Sequence, residues 1–111
     1  GVRAAKTRLE GRATADATTV NENNLDLEGS MVWYYNTSSS VNLTGIRNGV
    51  EGRIIFIHNI GSGTISILNN SASSDAANRI LNDGGGTTSL ATSKSAIYMY
   101  LNTRWREVSL A

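Results

Sequence analysis

The chain has no cysteine and one histidine, and both shortages exclude chemistry. Without cysteine there is no disulfide framework, thiol nucleophile or zinc ribbon, and His58 alone rules out any site that needs two imidazoles. Charge is scarce as well. Only 17% of the residues are charged, which argues against a soluble helical bundle and against a charge-rich disordered tail. A formal net charge of +1 gives no global reason to expect direct contact with nucleic acid, whose binders carry a basic face or arm. Long apolar runs are missing too. The longest, Met31–Tyr35 and Ile54–Ile57, fall far short of the ~20 residues of a membrane helix, so no membrane partner is expected. No apolar core of a signal peptide follows the basic start at Arg3, Lys6, Arg8 and Arg12, so no export signal is expected either.

Small polar residues fill the space these absences leave: Asn, Ser, Thr and Gly make up 47 of the 111 residues. A chain of this length has room for one core, which buries roughly two thirds of the unfolded surface. Residues 1–30 differ from the rest, with no aromatic residue, four of the ten basic groups in the first twelve positions and little apolar periodicity. They read as an extended N-terminal arm, and residues 31–111 as the folded domain. Within the arm, Leu25 and Leu27 alternate with acids, as in an edge strand or an extended strap across a neighbour. A helix over about Arg3 to Arg12 is the other option, marginal on its own.

From Met31 onward short apolar stretches alternate with turn residues. Met31–Tyr35 is aromatic-rich, Val41–Leu43 alternates, and Gly52–Asn59 is β-branched on both faces, as in a centrally buried strand. Ile60–Gly63 then reads as the turn of a hairpin into Thr64–Leu68. Arg79–Leu81 is a short strand, Asp83–Gly86 a turn needing positive φ, and Ser89–Thr92 a brief strand. Ser95–Leu101 sets Ala96, Tyr98 and Tyr100 against Ile97, Met99 and Leu101, and Asn102-Thr103 turns it into a closing strand, Arg104–Leu110. About seven or eight strands with no convincing helix predict an all-β, antiparallel β-sandwich, jelly-roll-like, with edges that need cover from neighbours.

The ordered set Gly52, Ile54, Ile57, Asn59, Gly61, then Ile65 and Ile67, then Ser73 through Asn78-Arg79-Ile80, Gly84–Gly86, Leu90, Ser95, Tyr98 and Tyr100, and Arg104-Trp105-Arg106 resembles a β-sandwich module of tailed-bacteriophage virion proteins. The resemblance covers about residues 31–110. It implies a jelly-roll-like fold that assembles, usually as a homotrimer, in capsid decoration or cement proteins, head fibres and tail-fibre tips. Much of the pattern is about fold rather than task. Asn59 before Gly61 sets turn geometry, and Trp105 is expected to enter the core with Arg104 and Arg106 pointing the other way.

No residue is assigned a catalytic, cofactor-binding or metal-binding role, and no cofactor is expected. His58 sits in the most apolar strand and reads as a hydrogen-bonded structural histidine, while Asp75, Asp83 and Glu107 are scattered. Gly84–Gly86 lacks the following lysine and helix of a phosphate loop and reads as a turn. The triplets beginning at Asn36, Asn42 and Asn69 match the glycosylation sequon, but a chain this rich in Asn, Ser and Thr produces them by chance.

Two groups remain as candidate partner contacts. Trp33, Tyr34 and Tyr35 are adjacent, so at least one faces away from the core, for a subunit interface or a sugar-stacking platform. Arg3, Lys6, Arg8 and Arg12 form a solvated tail or a clamp on an acidic protein surface. The function expected is therefore non-enzymatic: a virion structural protein, foremost a capsid decoration protein bridging major capsid protein subunits. A host-surface glycan-binding module of a tail or head fibre is the alternative.

Overall fold

A computed structural model describes residues 13–16, 21–36 and 38–109; for 13–16 only the backbone path is considered. Nine strands carry the fold: β1 (Ala13–Asp16), β2 (Val32–Tyr35), β3 (Val41–Leu43), β4 (Ile54–Asn59), β5 (Ile65–Ile67), β6 (Ile80–Leu81), β7 (Thr88–Leu90), β8 (Ser95–Leu101) and β9 (Arg104–Glu107). They form a six-stranded sheet in the order β1-β2-β4-β8-β9-β6 and a three-stranded sheet in the order β3-β5-β7. The fold is mostly β, two sheets around one core, as the alternation implied. No helix among the described residues is long and apolar enough to cross a membrane.

The pairing is not the antiparallel one expected of a jelly-roll-like sandwich. β1–β2, β2–β4, β3–β5 and β6–β9 are parallel, and only β4–β8, β8–β9 and β5–β7 are antiparallel. The chain coils between the sheets, returning to the larger one 19 and then 24 residues on, where Ala13 pairs with Val32 and Val32 with Phe56. On the smaller sheet the same step is 24 residues, from Val41 to Ile65. Such a coil is the local logic of a solenoid, in which each turn rests on the one before.

Two sequence expectations change with it. Gly52–Asn59 and Thr64–Leu68 do not form a hairpin, because β4 and β5 lie in different sheets. The intervening loop carries the chain across the core, held by buried Asn59, whose Oδ1 accepts from Gly61 N–H (2.9 Å) and whose Nδ2 donates to Gly63 O (2.7 Å) and Leu90 O (2.9 Å). The self-bonded Asn59 turn was foreseen; its destination was not. Likewise, residues 21–30 of the expected arm lie on the body. Glu22 and Leu25 run parallel beside Leu43 and Ile46, and Leu25 and Leu27 are buried in the core. The rest of the arm, apart from the backbone of 13–16, lies outside the described residues, as does the helix considered over Arg3–Arg12.

Asparagine supplies much of the corner chemistry. Asn82 is 6% exposed: its Nδ2 donates to Ile67 O (2.8 Å) and Gly86 O (2.9 Å), and its Oδ1 accepts from Tyr98 Oη–H (2.7 Å). Asn24, at φ 49°, accepts at Oδ1 from Asp75 N–H (2.8 Å) and Asn78 Nδ2 (2.9 Å), tying the first coil to a loop fifty residues on. Carboxamides both donate and accept, so one side chain can close two strands of a loop without burying charge. The closing hairpin forms as expected, with Asn102 (φ 51°) and Thr103 (φ 64°) in a two-residue turn of left-handed backbone. Trp105 enters the core, donates its indole N–H to Ile46 O (2.8 Å) and meets Tyr100 edge-on at 5.0 Å. The Gly84-Gly85 turn has the positive φ expected, 85° and 82°.

Candidate assembly surface

The two sheets pack their inner faces together, so their outer faces can be compared directly. On the three-stranded sheet the outer row is Asn42, Ser66 and Ser89, aligned by register and polar throughout, as a solvated face should be. The six-stranded sheet is the opposite. Its register aligns Val32, Phe56 and Ile97 in one outer row and Ile54 and Met99 in the next. Val108 donates its N–H to Ile97 O (2.8 Å) and extends the first row onto the segment after β9. Phe56 and Leu101 are 36% exposed, Ile54 37% and Val108 42%.

The strand chemistry explains why. Ile55 and Ile57 of β4 point into the core and are fully buried, while Ile54 and Phe56 alternate with them and point outward. A strand apolar on both faces is ordinarily covered on both. β4 is central in its sheet, as expected, but no described residue covers its outer face; the expectation of burial on both faces is corrected to one. The sequence signal was present in the two-sided pattern, and only the identity of the cover was left open by it.

The middle of this face carries no charge. Arg104 and Arg106 of β9 flank it, half-buried, with Arg106 Nε donating to Leu101 O (2.8 Å) and Arg104 Nη1 to Thr103 O (2.9 Å). At the other end of the strands, register aligns Tyr34, His58 and Ser95, with His58 Nδ1 and Ser95 Oγ 2.5 Å apart. The histidine is hydrogen-bonded, as read from the sequence. A serine–histidine contact is one element of nucleophilic catalysis, yet no carboxylate among the described residues bonds to His58, and the surrounding backbone N–H groups of β4 and β8 lie in a continuous ladder rather than aimed at a substrate.

The candidate contacts divide. Trp33 (6% exposed) and Tyr35 (0%) point into the core and meet edge-on at 6.4 Å; Tyr34 alone of the three lies on the outer face, half-buried. A three-ring sugar platform is therefore not assembled here. Arg3, Lys6, Arg8 and Arg12 lie outside the described residues. The carboxylates stay apart. Glu107 Oε1 accepts from Asp83 N–H (2.9 Å) and Thr88 Oγ1 (3.1 Å), a loop anchor. Its charge adds to burial in pushing the Tyr98 phenol well above its ordinary range, a shift the hydrogen bond with Thr88 partly opposes. No group of three metal-ligating side chains occurs among the described residues.

No family model matches the chain, and neither the curated proteins nor the solved structures contain a significant match. Function therefore has to be argued from the site. The residues missed in the sequence reading are the outer-face apolar ones, Ile54, Phe56, Ile97 and Met99, which the register places side by side on the described surface.

Proposed function

We propose that the chain is a non-enzymatic structural subunit of a tailed-bacteriophage virion, and within it a capsid decoration protein that assembles as a homotrimer on the major capsid protein. The ordered residue set from Gly52 to Arg106 supports the virion reading, and the uncovered apolar face of the six-stranded sheet carries the assembly reading. Apolar area left in water is a driving force for association, at about 25 cal/mol per Å² removed from solvent. In this role binding energy is the function: contacts across capsomer junctions add to those opposing internal DNA pressure. The basic residues Arg3, Lys6, Arg8 and Arg12 clamp carboxylates of the shell through bidentate and point-charge pairing.

Particles assembled without the chain, by deleting its gene, are expected to release their DNA at a lower temperature than complete particles, and added purified protein is expected to restore it. An unchanged release temperature in particles shown to lack the chain would sink the decoration role. The fibre-tip alternative draws on one observation, Tyr34 half-exposed beside the His58–Ser95 pair, which offers one stacking ring and polar neighbours to a glycan. Tyr34→Ala abolishing adsorption to host cells while leaving particle stability intact would favour that alternative.

A further inference from the structure

We infer that residues 57–67 and 80–90 are two copies of one structural unit, joined about a local two-fold axis into a reciprocal clasp that shuts the smaller sheet. The sequence carries the first sign. Twenty-three residues apart, both segments read Ile-x-Asn-x-Gly-x-Gly-Thr-x-Ser, closed by Ile67 in one and Leu90 in the other. A chain rich in Asn, Gly, Ser and Thr can repeat such a pattern by chance, so the weight falls on the geometry. Each unit starts in the six-stranded sheet, in β4 or β6, and ends in the three-stranded one, as β5 or β7.

The two asparagines are buried at equivalent corners, and each Nδ2 donates to the carbonyl four residues on, Gly63 O at 2.7 Å and Gly86 O at 2.9 Å. The second Nδ2 bond crosses to the other unit: Asn59 donates to Leu90 O (2.9 Å) and Asn82 to Ile67 O (2.8 Å). Leu90 stands in its unit where Ile67 stands in the other, so the two crossings are one bond made in both directions. The strand register obeys the same symmetry. β5 and β7 pair antiparallel with Ile65 opposite Leu90, Ser66 opposite Ser89 and Ile67 opposite Thr88, a set that exchanging the two units leaves unchanged. Ser66 and Ser89, equivalent residues facing each other, lie on the axis.

The copies differ where their surroundings differ. Asn59 Oδ1 accepts from Gly61 N–H in its own loop, whereas Asn82 Oδ1 accepts from Tyr98 Oη–H, and Gly84 takes a φ of 85° that Gly61 does not share. The loops vary in path while both carboxamides keep their two Nδ2 bonds. A carboxylate there would lack the donor, and an aliphatic side chain would leave two carbonyls at each corner unbonded.

The two corners act as one lock. β7 has three residues and ends the sheet order of the described strands, and so short an edge strand holds weakly by its ladder alone. Asn59 pins it at Leu90, its last residue, while Asn82 pins Gly86 in the loop that enters it and Ile67 at the end of its partner strand. Once either pin is lost β7 lifts, and the pin at the other end loses an acceptor that β7 or its loop supplied. The clasp is independent of any role on a capsid.

Hydrogen exchange of the Asn59 and Asn82 side-chain carboxamides, followed by NMR in the full-length chain, tests the clasp. Asn59→Ala is expected to speed exchange at Asn82 Nδ2 by about tenfold or more, and Asn82→Ala to do the same at Asn59 Nδ2, because each substitution unpairs buried groups that hold β7 down. Asn59→Gln and Asn82→Gln, which misplace the carboxamide without removing it, give the same reading should either alanine variant fail to fold. Ser66→Cys combined with Ser89→Cys supplies a second arm, since the chain has no other cysteine and the disulfide bridges the axis. On oxidation the far carboxamide is expected to return to its wild-type rate in each Asn variant. Acceleration confined to the substituted corner, or seen in one direction only, overturns the inference. So does acceleration that persists in the oxidised protein, or a cross-linked variant that does not fold.

Discussion

Asn59 shows how much one polar side chain can carry in a chain so short of charge. It is fully buried and closes the crossing between the sheets with three hydrogen bonds. Asn59→Ala would strand Gly63 O, Leu90 O and Gly61 N–H away from water, so a loss of about 3 kcal/mol is expected in urea unfolding, since each unsatisfied buried group costs roughly 1–3 kcal/mol. Tyr98 gives a pH-dependent counterpart. Its phenol donates to Asn82 Oδ1, and burial, reinforced by the charge of Glu107, raises its pKa above the unfolded value. The folded state thus holds the proton where the unfolded state has begun to release it, so stability is intact below the ordinary tyrosine pKa of about 10 and falls as pH rises above it. Melting temperatures from neutral to strongly alkaline pH are expected to show that fall in the wild type and a shallower one in Tyr98→Phe, which also loses about 1–3 kcal/mol at neutral pH by orphaning Asn82 Oδ1.

At the scale of the element, what was legible was local. Val41–Leu43, Ser95–Leu101 and the Asn102-Thr103 turn could be placed because period-2 alternation and turn chemistry act over a few residues. The pairings could not, because parallel partners 19–24 residues apart leave no signature in either strand, and a loop such as Ile60–Thr64 looks alike whether it turns back or crosses the core. The burial of Leu25 and Leu27 was hidden for the same reason: Glu22 and Leu25 pair with Leu43 and Ile46, each twenty-one residues on, so two leucines among acids read as part of an arm. The two-sided apolar pattern of β4 was visible, but a pattern cannot say whether a face is covered from within the chain or from outside. Two substitutions test the elements directly. Thr103, β-branched at φ 64°, is strained, and Thr103→Gly is expected to raise stability by about 1 kcal/mol in thermal unfolding. Gly63 packs so closely that a Cβ would lie 2.1 Å from Ser39 O, so Gly63→Ala is expected to cost about 2–3 kcal/mol by the same measurement.

At the scale of the molecule, the body is asymmetric in a way that neither fold nor stability requires. One outer face is finished in Asn and Ser, the other in Phe, Ile and Met. An outer face that leaves apolar area in water invites association, which is why it carries the functional reading in a protein whose described residues show no assembled catalytic triad or metal cluster. The same asymmetry separates surface from core in mutagenesis. Lysine at Phe56, on the outer face, is expected to leave folding stability almost unchanged, whereas truncation of Ile57, the fully buried neighbour on the same strand, is expected to cost about 2–5 kcal/mol, both read in urea unfolding.

Immunogold electron microscopy of intact particles, with antibody raised against this chain, bears most directly on the role proposed. A decoration protein places label over the whole head in many copies. Label confined to fibre ends, or none on the particle, would contradict it.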